Sequence, residues 1–148
     1  MTIVQLLTTM VSIIIVPLQG DINSRRCQWD IAAWYEIPSS QVFVCDRYPE
    51  VRRYFTTHEL AHHMWFKLLT QKQRDSYKVE WEKSKVLGIT HFWREYGMTN
   101  VEEGFADDVM YIINEPFKVN KYPPQAKKRL LKVRQLMSLV QRKWNQNK

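Results

Sequence analysis

TTHELAHH, residues 56–63, spends three of the chain's four histidines on one short stretch. His58 and His62 stand four apart, with Glu59 beside the first and His63 directly after the second. On a helix, positions i and i+4 lie one turn apart on the same face. Two neutral imidazoles so placed can reach a single Zn²⁺, and Glu59 can take a proton from a water activated there. The plain alternative is an ordinary helix with two partly buried histidines and a solvated glutamate. A third ligand decides between them, because catalytic zinc takes three protein ligands and keeps one position open.

The surroundings support the helix. Pro49, a favoured first-turn residue shortly after Asp46, predicts a start near residue 49. Val51, Phe55, His58, His62, Trp65 and Leu69 then recur at steps of three and four, one inward stripe that carries both histidines. Upstream, AAWYEI, the turn PSS and QVFVC read as a β-hairpin. Thr70 with Gln73 makes a capping box for a second helix to about Ser84. VLGITHFWREYGM reads as a loop, and another helix starts at TNVEEGFADDVMYIIN and stops before Pro116.

Neither remaining histidine supplies the third ligand. His63 is turned about 100° from His62, and His91 lies in the aromatic loop. Carboxylates are left. Thr99 and Glu102 read as a capping box, which gives Glu102 a structural task. Glu103 faces elsewhere and can ligate zinc through an oxygen; as a first-turn acid it also suits the helix dipole. Asp107 lies one turn below it and can accept the second N–H of a ligating histidine, fixing its tautomer.

HExxH followed about forty residues later by Glu-x-x-x-Asp resembles the gluzincin clan of zinc metallopeptidases. The hairpin before HELAH, together with EYGMTNVEEGFADD, is similar to minigluzincins and lethal-factor-type catalytic domains, over roughly residues 30–115. The resemblance implies one Zn²⁺ per chain, held by His58, His62 and Glu103, with Glu59 as general base and Asp107 behind the ligands. It also implies that Tyr96, seven residues before Glu103, donates a hydrogen bond to the developing oxyanion. One departure is Gly104, where related sequences commonly have an acid. The expected activity is hydrolysis of peptide bonds in a protein or peptide substrate. That substrate would pair with an exposed edge strand formed by Gln41, Val42, Phe43 and Val44.

The fold class expected is α+β: a small zincin-like domain with a short N-terminal sheet packed on the HExxH helix, then a glutamate helix and a C-terminal amphipathic helix. All 148 residues form one domain, divided as 1–48, 49–115 and 116–148. A chain of this size builds its core without metal or disulfide staples. Cys27 and Cys45 flank the hairpin strands and are either bridged or buried as free thiols. The uncharged start, MTIVQLLTTMVSIIIVPLQG, lacks the basic residues of a signal peptide and is a poor membrane span. It reads as a short helix and a buried strand, SIIIVPL. A soluble protein with no membrane insertion follows, cytoplasmic in preference to secreted.

The net charge of +7 is unevenly placed. From Pro116 onward there are ten Lys and Arg and no acid, so the preceding body is mildly acidic. Leu130, Val133, Met137, Val140 and Trp144 mark the apolar face of a docked helix with solvated charges. By the family resemblance this tail can also act as a latch over the cleft. As a nucleic-acid binder it is poorly equipped, with only Tyr122 and Trp144 for stacking and no known motif.

Overall fold

The computed structural model describes residues 1–147. Helix α1 (Ile3–Met10) opens on a capping box between Thr2 and Gln5 and buries Leu6 and Leu7. Strand β1 (Ser12–Val16) follows, then a short turn of helix, α2 (Ser24–Cys27). Strands β2 (Ala33–Glu36) and β3 (Gln41–Cys45) form the expected antiparallel hairpin. The architecture is α+β, and no helix among the described residues is long and apolar enough to cross a membrane.

The sheet order, β1-β3-β2, corrects the substrate-edge assignment. Gln41, Val42, Phe43 and Val44 lie on the central strand, bonded to β1 in parallel and to β2 antiparallel, so they present no free edge. The physical reason is the N-terminal SIIIV, which joins the hairpin from outside and covers the flank of β3. Burial agrees: Val42 and Val44 face the main core, while Phe43 and Cys45 face a second, smaller one with Val16, Cys27 and Trp34. Strand β1 is itself less covered than expected, since only Val16 is buried. Cys27 and Cys45 are bridged across this second core, their Cα atoms 5.8 Å apart.

Helix α3 (Pro49–His63) starts at the expected proline and turns His58 and His62 inward. Its last turn widens into a π-helical turn, Met64–Leu68, closed by Leu69 N–H on the Met64 carbonyl. Arg74 donates to the carbonyls of Trp65 and Leu69, satisfying acceptors that this termination would leave bare. Helix α4 (Gln71–Leu87) carries the expected Thr70–Gln73 capping box and runs three residues past Ser84, to Gly88 at φ +96°.

The loop after α4 contains two 3₁₀ turns, Ile89–His91 and Glu95–Met98. Helix α5 (Val101–Asn114) is capped by Asn100, whose Oδ1 accepts from Glu103 N–H at 2.9 Å. This corrects the Thr99–Glu102 box. Thr99 closes the preceding 3₁₀ turn with its N–H on the Tyr96 carbonyl, so its backbone is helical and not extended as an N-cap requires. A third 3₁₀ stretch, Pro116–Lys121, leads to α6 (Pro124–Gln146).

Helix α6 docks through Leu130, Val133 and Val140, with Met137 and Trp144 packed at its margin. One of its charges does not face outward. Arg129 is 1% exposed and grips Asp108 through Nε and Nη2 at 2.7 and 3.1 Å. Tyr77 donates to the same carboxylate at 2.8 Å, so α4, α5 and α6 meet on one buried polar network.

Candidate metal centre

Helix α3 brings His58 and His62 together as the i, i+4 spacing demands, with ring centroids 4.9 Å apart and nearly perpendicular. Both are buried, as is Glu59. From α5, Glu103 reaches across to both rings: Oε2 lies 2.9 Å from His58 Nε2 and Oε1 lies 3.2 Å from His62 Nε2. Behind them Asp107 Oδ1 sits 2.9 Å from His58 Nδ1, a short ionic contact that is off ideal hydrogen-bond alignment. His62 Nδ1 is buried without a hydrogen-bond partner.

Glu59 and Glu103 both stand close enough to compete for the third place. His58, Glu59 and His62 offer donor atoms within 4.8 Å of one another. Glu103, however, touches both Nε2 atoms, whereas Glu59 has no hydrogen bond to either ring among the described residues. Glu103 is thus the carboxylate in contact with both imidazoles, and Glu59 stands beside them without a hydrogen bond to either.

Burial alone would lower the His58 pKa, yet the Asp107 and Glu103 carboxylates against its two ring nitrogens and the nearby Glu59 charge lift it to about 9. Burial pushes the Glu59 carboxyl up, opposed by both histidines. For Glu103, burial is outweighed by the two imidazoles, and its pKa falls far below the usual carboxylate range. Three acidic side chains thus converge on two imidazoles.

Arg94 was not legible as a site residue. It sits in the segment read as loop, yet its Nε and Nη2 hold both Asp107 oxygens, at 2.8 and 2.7 Å. Its guanidinium also lies 4.7 Å from the Tyr96 ring centre, which fixes one face of that ring. Tyr96 stands 6.0 Å from the His58 ring and is 45% exposed. Burial and the Glu103 charge raise its pKa, so the phenol keeps its proton at neutral pH.

Gly104 has a steric explanation. A Cβ there would collide with the Trp81 ring and come within 2.8 Å of the Gly97 carbonyl oxygen. Trp81 Nε1 donates to that carbonyl at 2.9 Å, which clamps the Tyr96 turn against α5. The two excluded histidines are elsewhere: Tyr35 Oη pairs with His63 Nδ1 at 2.9 Å, and His91 contacts Thr90.

A cleft of about 450 Å³ opens over the cluster. Glu59, His62, Glu103 and Tyr96 form part of its wall, and Ala33, Trp34 and Tyr35 of β2 form another. Strand β2 is an edge strand of the sheet, and its residues, not those of β3, line this cleft. Among the described residues, none of the basic tail lines this cleft, and α6 docks on the body instead. Compared with known proteins, the chain matches no family model, no curated protein and no solved structure.

Proposed function

We propose that this chain is a zinc-dependent endopeptidase of the gluzincin type, built on a small zincin-like fold. The observation that carries the reading is the Glu103 carboxylate, 45 residues from His58 in sequence, lying against the Nε2 atoms of both helix α3 histidines. Chance burial of two histidines does not explain a carboxylate bridging them with a second one, Asp107, behind.

The donor set suits a divalent ion. Glu59, Glu103 and Asp107 carry three negative charges into largely buried positions, and Arg94 answers only one of them. Zn²⁺ would be held by His58, His62 and Glu103, and when bound it polarises a water and the scissile carbonyl.

The chain's own side chains account for the remaining chemistry. Glu59 accepts the proton of the attacking water and returns it to the departing amine, a task suited to a buried carboxylate with a raised pKa. Tyr96 keeps its proton and donates it in a hydrogen bond to the oxyanion. Asp107 fixes the His58 ring, and Arg94 fixes Asp107. Substrate backbone pairs with the free edge of β2, and the cleft side chains supply preference.

The Cys27–Cys45 bridge is of the kind that persists in oxidising surroundings, which favours secretion over the cytoplasm. The test of the activity is a peptide-library digest with zinc-loaded wild type and Glu59→Gln. Wild type should cleave, and the variant should bind zinc equally while losing about a thousandfold in rate. Undiminished cleavage by Glu59→Gln would remove the assigned base.

A further inference from the structure

The cleft contradicts the charge of the chain around it. None of the described Lys and Arg residues lines it. Its three charged lining residues are all acidic: Glu59, Glu102 and Glu103. If the reading above holds, a divalent ion and Arg94 together balance Glu59, Glu103 and Asp107. Glu102 is then the one uncompensated charge in the cleft.

Glu102 has no ion pair or hydrogen-bond partner among the described residues, and the Thr99–Glu102 capping box expected to engage it does not form, because Asn100 is the N-cap. The helix dipole accounts for an acid in the first turn of α5. It does not account for an unpaired one facing into a cleft. One residue before Glu103, its side chain is displaced about 100° round the helix, beside the cluster and not within it. Ile37 and Phe66 line the same cleft and remain 42% and 36% exposed, leaving apolar surface for the methylene stem of a long side chain. Low-dielectric walls concentrate the field of such a charge on whatever enters.

We propose that the cleft selects peptides presenting a Lys or Arg side chain next to the reacting bond, and that Glu102 reads that positive charge. This rests on the endopeptidase reading for its geometry, but its test reads binding. Zinc-loaded full-length Glu59→Gln is titrated with a labelled short peptide bearing one central Arg, and with the same peptide bearing citrulline, which keeps the shape and removes the charge. The Arg peptide should bind about fivefold more tightly, as expected for a partly exposed ion pair. Adding Glu102→Gln should erase the difference, and adding Glu102→Lys should invert it.

Equal affinities for the two peptides, no measurable binding of the Arg peptide, or a preference that survives Glu102→Gln would each overturn the proposal. Failure of the activity reading looks different: the charge preference persists in binding while zinc-loaded wild type hydrolyses nothing. Cleavage by wild type without regard to Lys or Arg would sink the specificity and leave the activity standing.

Discussion

Two neighbouring residues of α5, Asp107 and Asp108, are both almost fully buried and both gripped by an arginine through two hydrogen bonds. Their surroundings differ in one respect. Around Asp108 the charges close: one carboxylate, one Arg129, and Tyr77 donating to the same oxygen pair. Around Asp107 they do not close, because Glu59 and Glu103 crowd the imidazoles beside it and Arg94 is the only fixed cation there among the described residues. The first side of α5 is sealed under α4 and α6, whereas the second opens on a cleft. The Asp108 side pairs its charges within the body, whereas on the proposed reading the Asp107 side takes its balance from a bound cation.

Matched substitutions break or sharpen this contrast. Asp108→Asn leaves Arg129 buried without its counter-charge and should cost about 3–5 kcal/mol in denaturant unfolding, with zinc affinity nearly unchanged. Asp107→Asn should do the reverse, lowering zinc affinity about tenfold in competition titrations with little loss of stability, since Arg94 is exposed enough to rehydrate. If both substitutions shift the same quantity, the two sides of α5 are not functionally distinct.

A smaller effect belongs to the sealed side alone. Glu80 on α4 meets Gln125 and Lys128 on α6 and Lys83 on its own helix. Burial raises its pKa, but these partners outweigh it and leave the value below the ordinary one. A carboxyl depressed in the folded state contributes stability at pH above its unfolded pKa, and that contribution fades as pH falls below about 4.5. Wild type should therefore exceed Glu80→Gln in stability at neutral pH, and the gap should narrow on acidification through that range. A gap independent of pH would mean that packing, and not charge, sets it.

What the sequence showed and what it hid follow from range. HELAH was legible because its information is local: the i, i+4 step puts His58 and His62 on one face whatever else the chain does. The same step made Glu103 and Asp107 legible as a pair. The hairpin and the start of α3 were equally local, read from turn residues and Pro49. By contrast, β3 was mistaken for an edge because its covering strand, β1, pairs in parallel from 29 positions upstream, Ser12 against Gln41, and nothing in QVFVC announces that partner.

Arg129 was hidden for another reason. A basic residue beside Leu130 reads as solvated, and only the packing of α6 on α5 turns it toward Asp108. The signal available was that 129, 133, 136 and 140 also step by four, three and four, so Arg129 stands on an apolar stripe. Arg94 left no periodic trace, since it lies between two 3₁₀ turns. Asn100 was displaced by its neighbour Thr99, because either residue type caps helices and only backbone conformation separates them.

The most direct test of the central claim is a zinc titration by calorimetry of the full chain and of Glu103→Ala. Wild type should take up one ion per chain, and the variant, keeping both histidines, should bind at least about a hundredfold more weakly. Equal affinity and stoichiometry in the two proteins would mean that the α5 carboxylate is no ligand, and the account of the cleft as a hydrolytic site would be contradicted.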